Sequence, residues 1–128
     1  MVSVGSSSLV ILVCGSREWD DFELVHAVLA RWCACAVLVI EGGARGADAQ
    51  GRAAATVLGI PVLTVLAEWA RYGRGAGMVR NRWMLDLYPD LVLAFHDDLG
   101  RSRGTRDCVV EARRRGIPVQ VVSHEVPE

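Results

Sequence analysis

Apolar residues fall along the chain in five short runs, separated by segments of helical period. Residues 9–14 are a continuous run of Leu, Val, Ile and Cys that stops at Gly15-Ser16, the pattern of a strand buried on both faces. Runs at 36–40, 62–66 and 91–95 repeat it, and 118–122 supplies a fifth. Between the first two, Phe22, Leu24, Val25, Val28, Leu29 and Trp32 recur at helical spacing with Asp20 or Asp21 as N-cap, which predicts a helix to about residue 33. The Ala-rich segment 47–58 predicts a second helix, closed by Gly59 ahead of Ile60-Pro61. Residues 67–77, with Trp69, Tyr72 and three glycines, read as a loop before a helix over 78–87. A polar, Gly-containing loop at 96–104 precedes a helix over 105–115, which Gly116 ends. Residues 3–8 read as a frayed lead-in and the last few residues as a polar tail, with no internal repeat or linker.

Strands that alternate with helices of roughly 10 to 15 residues imply βαβ crossovers and a mainly parallel sheet. The expected class is therefore α/β, a Rossmann-like three-layer α/β/α sandwich of about five strands, formed as one domain over 1–128 with its core at about 9–122. In such folds ligands sit beyond the carboxyl ends of the strands, near the switch point of the topology.

Composition narrows this picture. The 52% hydrophobic content is spread over short runs, none near the roughly 20 apolar residues of a membrane span. The stretch before residue 9 lacks a basic n-region and the run at 9–14 is too short for a signal h-region, so a cytoplasmic location is expected. Of Cys14, Cys33, Cys35 and Cys108 only Cys33 and Cys35 are close in sequence, and one Cys-x-Cys lacks the usual zinc spacing. Reduced thiols are expected, with neither a metal nor a cofactor. A net charge of −1 argues against nucleic acid as a partner. All 14 basic residues are nevertheless Arg, and Arg45, Arg71, Arg74, Arg80, Arg82, Arg101 and Arg103 fall in or beside glycine-rich segments, where a planar guanidinium suits phosphate.

Three strand-to-helix turns carry the candidate chemistry. In Gly15-Ser16-Arg17 a glycine admits close backbone approach while a hydroxyl and a guanidinium face the same space. In Glu41-Gly42-Gly43-Ala44-Arg45-Gly46-Ala47-Asp48 three glycines meet a helix N-terminus, whose amides favour an anion, although no Gly-Lys-Ser/Thr follows as a Walker A loop requires. Ser102-Arg103-Gly104-Thr105 repeats the arrangement, with Thr105 also a ready N-cap. Between them Gly77-Met78-Val79-Arg80-Asn81-Arg82 loosens the backbone before a helix that projects Arg80 and Asn81. Trp19 and Trp69 stand beside these loops and are candidates to stack on a base, or else core or lid residues.

Together Val13-Cys14-Gly15-Ser16-Arg17, the 41–48 turn, Ala76-Gly77-Met78-Val79-Arg80-Asn81-Arg82-Trp83-Met84 and Ser102-Arg103-Gly104-Thr105 resemble the YspA-like, cpYpsA-related branch of the SLOG superfamily, over about residues 9–122. That superfamily includes the LOG phosphoribohydrolases and relatives of the DNA-processing protein A fold. The resemblance implies a Rossmann-like domain that binds nucleotides or nucleotide-derived signals. LOG enzymes carry a Gly-Gly-x-Gly-Thr-x-x-Glu motif and a helix Arg. Here Gly104 and Thr105 match its Gly-Thr pair, Arg80 resembles the helix Arg, Arg101 and Ser102 replace the first glycines, and Cys108 stands at the catalytic Glu. Asp107 is adjacent to that position and Glu111 one turn further along.

Two functions follow as expectations. The first is a sensor, sequestering or processing module that binds a nucleotide-derived small molecule through Gly15, Ser16, Arg17, Gly42, Gly43, Arg45, Gly46, Asp48, Arg80, Asn81, Ser102, Arg103, Gly104 and Thr105. The alternative is a nucleoside 5′-monophosphate phosphoribohydrolase, with Arg80 orienting the sugar phosphate and Asp107 or Glu111 stabilising charge on the ribose. A DNA-binding or scaffolding domain ranks behind both, because no broad basic stripe is present. A homodimer or higher homo-oligomer is an expectation of the LOG resemblance, with Trp32 or Trp83 on the faces that would support it.

Overall fold

The computed structural model describes residues 8–124, so most of the lead-in and tail expected from the sequence lie outside the described residues. Among the described residues the strands are β1 (Leu9–Gly15), β2 (Ala36–Glu41), β3 (Val62–Thr64), β4 (Leu91–Phe95) and β5 (Val119–Val122), and the helices are α1 (Phe22–Ala30), α2 (Ala47–Val57), α3 (Trp69–Tyr72), α4 (Ala76–Leu85) and α5 (Arg103–Arg114). All strands pair in parallel in the order β3-β2-β1-β4-β5. The chain builds outward from β1 to β3, then returns to the other side of β1 for β4 and β5. The strand order therefore reverses between β1 and β4, within the parallel, Rossmann-like α/β sheet that the alternating elements predicted.

Central β1 explains its own sequence. Ile11 and Val13 point into one core with Leu93 and Phe95, under α1 and α2. Leu12 and Cys14 point into the other with Val92 and Ala94, under α4 and α5. A strand covered on both faces has no polar side to show, hence the unbroken apolar run. No helix among the described residues is long and apolar enough to cross a membrane.

Three expectations are corrected at element ends. Residues 67–77 are not a continuous loop: they form α3 and a 3₁₀ turn at Gly73–Gly75, and α4 begins at Ala76 rather than Met78. The fifth helix starts at Arg103, because Ser102 caps it by accepting the Thr105 amide at 3.2 Å. The first helix stops at Ala30, short of Cys33, and Trp32 packs partly buried against the core instead of standing on an open face.

Helix α2 lies close on β1 because Gly51 has no side chain; a Cβ there would sit 2.7 Å from Val13 Cγ1. Gly51→Val is therefore expected to overpack this contact and lower stability by about 1–3 kcal/mol. The measurement is urea unfolding followed by circular dichroism, and an unchanged midpoint would show that α2 can shift without cost.

Candidate functional site

The switch point between β1 and β4 opens into a cleft of about 400 Å³. Its walls come from the turn after β1, the start of α2, the inner face of α4 and the N-terminus of α5. Ser16 anchors the first wall: its amide donates to Phe95 O at 2.9 Å, and its carbonyl accepts from the Ala47 amide at 3.0 Å. Two glycines allow this approach. A Cβ on Gly15 (φ 153°) would run into Phe95 O, and one on Gly46 (φ 76°) into the Ser16 and Arg17 carbonyls. Gly46 thus acts by close packing and does not line the cleft.

The α5 end carries the open donors. Ser102 Oγ takes the Thr105 amide, which leaves the amides of Arg103 and Gly104 without a partner among the described residues. Gly104, Ser102 and the buried Thr105 line the cleft beneath them, while the Arg103 side chain is exposed and lies outside it.

The glycine-rich turn after β2 behaves differently from its sequence expectation. Three of its amides are already taken: Asp48 Oδ2 accepts from Gly42 at 3.1 Å and Ala44 at 3.2 Å, and Glu41 Oε1 accepts from Gly43 at 2.6 Å. A phosphate cannot use these three donors. Gly42, Gly43 and Arg45 instead line a second cleft of about 420 Å³, which shares Arg17, Ala44 and Arg80 with the first. Arg45 is paired with Glu18 at 2.7 Å in the open, a contact worth little.

Helix α4 supplies the cation between the clefts. Arg80 Nη1 donates to Gly42 O at 2.5 Å and Nε to Asn81 Oδ1 at 3.1 Å, which holds the guanidinium plane in place. Asn81, buried, turns its amide nitrogen to Gly104 O and Asp107 Oδ2, both at 3.2 Å, and so ties α4 to the start of α5. Arg82, next in sequence, reaches Asp107 at 3.0 Å and Glu111 at 3.6 Å. Glu111 is further clasped by Arg114 and Arg115, whose hydrogen bonds hold its carboxyl down to about 2. Neither Asp107 nor Glu111 lines a cleft; both are engaged in the ion pairs that clamp α4 to α5.

The carboxylate that does line the main cleft is Asp48, 6% exposed. Burial pushes it up to about 6; the Ala44 amide and the Arg80 guanidinium oppose the shift, and Glu41 adds to it. His96, Arg101, Cys14 and Cys108 also line the cleft and were not singled out from the sequence as site residues. Cys14 and His96 lie at the carboxyl ends of β1 and β4, so strand position alone could have found them. A hydrogen bond with Cys108, reinforced by burial, pushes the Cys14 thiol well up, so it is a neutral lining group and no nucleophile.

A parallel sheet whose strand order reverses beneath a cleft bordered by a helix N-terminus and Arg80 defines a Rossmann-like α/β domain. The chain belongs to the YspA, cpYpsA-related SLOG family, whose model matches residues 9–72. It is 40% identical to the Gene 61 protein of Mycobacterium phage D29, over 85% of this chain and 92% of that protein. Its fold is similar to the X-ray structure of DNA processing protein A from Streptococcus pneumoniae, with a TM-score of 0.76 at 18% identity over 94% of this chain. The chain spans about half (52%) of that structure.

Asp48 yields a pH prediction. Its folded-state value lies above its unfolded one, so the folded chain holds the proton more tightly and stability is lost as pH rises from about 4 to about 6. Asp48→Asn carries no such proton. Relative to the wild type, the variant is expected to gain up to about 3 kcal/mol between pH 4 and pH 7. Urea midpoints at the two pH values measure this, and a difference that stays constant with pH would refute it.

Proposed function

We propose that this chain binds the phosphate of a nucleotide or nucleotide-derived small molecule in the cleft between β1, β4 and α5. The observation that carries this reading is the N-terminus of α5, where the amides of Arg103 and Gly104 are open among the described residues and Gly104 lines the same cleft as Ser16, Thr105, Arg17 and Arg80. Helix amides and their dipole favour an anion, and a guanidinium held by Gly42 O and Asn81 is pre-ordered to meet its charge. Membership of the SLOG family supports a nucleotide-related role, and the net charge of −1 favours a small ligand over a nucleic-acid strand.

The test begins with mass spectrometry of small molecules released on denaturing the purified protein, followed by calorimetric titration of nucleoside monophosphates. Arg80→Ala and Thr105→Val are each expected to weaken binding by about tenfold or more, the usual cost of a lost charged hydrogen bond. If no nucleotide binds at millimolar concentration and none is released, the reading fails.

A second reading, phosphoribohydrolase activity, is favoured by one specific feature, the Asp48 carboxyl in the cleft near Arg80. Cleavage of an N-glycosidic bond breaks C1′–N, sends the bonding pair and a proton to the base, and adds hydroxyl from water to C1′. The ribose gains positive charge on the way, and a carboxylate ionised above about pH 6 stabilises it. Asp107 and Glu111, suggested by the LOG resemblance, are engaged with Arg82, Arg114 and Arg115, so this reading rests on Asp48. If the chain is a hydrolase, ribose 5-phosphate accumulates from a bound monophosphate at a rate that climbs through about pH 6, and Asp48→Asn lowers that rate at least about 100-fold. No ribose 5-phosphate after prolonged incubation would leave the chain a binder.

A further inference from the structure

Two tryptophans stand beside the clefts, and they differ in what they are free to do. Trp19 is 5% exposed, stacks on the His124 ring at 4.5 Å and tilts against Phe95 at 5.6 Å. It belongs to the core. Trp69 is 50% exposed and Leu66 64%, and both face the second cleft of about 420 Å³. Single exposed apolar side chains are ordinary on a protein surface; two on one concavity are a more specific arrangement.

The rest of that cleft suits a flat group. Gly42 and Gly43 line it without side chains; a Cβ on the first would strike the Arg80 guanidinium and on the second Leu66. Arg80 and Arg17 line both clefts, so the apolar cleft continues directly from the one with the open α5 amides. A ligand with one anionic end and one planar end is the chemistry that matches two such neighbours. A simple sugar phosphate or inorganic phosphate would leave the second cleft empty.

We propose that the second cleft receives the planar heteroaromatic base of the ligand, stacked on Trp69, while its phosphate lies at the N-terminus of α5. This rests on the phosphate reading above and adds to it the half of the ligand that gives selectivity. The base lies across Trp69 and Leu66, and the sugar passes beside Arg80. The ligand class is accordingly a nucleoside phosphate rather than a phosphosugar.

The experiment compares ribose 5-phosphate with the four common ribonucleoside 5′-monophosphates, titrated by calorimetry against wild type, Trp69→Ala and Trp69→Phe. At least one monophosphate is expected to bind the wild type about tenfold more tightly than ribose 5-phosphate, the usual worth of one stacked base. Trp69→Ala is expected to remove that advantage while leaving ribose 5-phosphate affinity unchanged, and Trp69→Phe to retain most of it. Binding should quench tryptophan emission in the wild type and not in Trp69→Phe, a readout that a general loss of folding would not produce. If ribose 5-phosphate and every monophosphate bind equally, or Trp69→Ala binds monophosphates as the wild type does, the base site is overturned and the phosphate site stands. If none of the five compounds binds, both fall.

Discussion

The peptide group of Ser16 joins three elements at once. Its amide closes on Phe95 O at the end of β4, and its carbonyl receives the Ala47 amide at the start of α2 and the Trp19 amide ahead of α1. These bonds set the first wall of the cleft, and they form only because Gly15 and Gly46 let backbone meet backbone with no Cβ between. The main cleft lies above this joint. Were the turn after β1 to move, Ser16 and Arg17 would leave the space into which α5 points its open amides, and Arg17 would no longer be shared between the two clefts.

A second constraint decides where an anion can go. A glycine-rich turn before a helix invites the assignment of a phosphate loop, but such a turn binds only with amides it has not already used. Here Asp48 and Glu41 act as built-in anions for the turn after β2 and occupy its Gly42, Gly43 and Ala44 amides. The charge of Asp48 is thereby offset by backbone donors and by Arg80, while at the start of α5 the amides of Arg103 and Gly104 stay open among the described residues. Burial of Asp48 raises its own proton affinity, which lightens the negative charge in the cleft below about pH 6.

Much of this was legible in the sequence, and the failures have physical causes. The run at 91–95 coincides with β4, since a strand buried on both faces shows its length directly in apolar residues. The run at 62–66 overstates β3, which ends at Thr64, because Leu66 is apolar for the second cleft and not for the sheet. Helix α3 was hidden by the glycines that follow it and by having no buried residue of its own, so it left no periodic signal. Asp48 and Arg80 were found by motif, yet the motif could not say that Asp48 would consume the amides beside it. Asp107 and Glu111 were singled out by their distance from the Gly-Thr pair, which could not show that Arg82 on α4 would pair with both, and Arg114 and Arg115, one turn along the same helix, with Glu111.

Helix α4 carries the division of labour in three consecutive residues. Successive side chains on a helix diverge by about 100°, so Arg80, Asn81 and Arg82 cannot share one task. Arg80 takes the ligand side, between the clefts. Asn81 points inward and holds Arg80 with its oxygen and the start of α5 with its nitrogen. Arg82 faces along α5 and secures the helix pair through Asp107 and Glu111. The Arg80 guanidinium, which Gly42 O also holds, and the start of α5 are therefore tied together through one buried side chain, Asn81. The two parts of the proposed anion site, which come from different helices, stay in register because the same residue touches both.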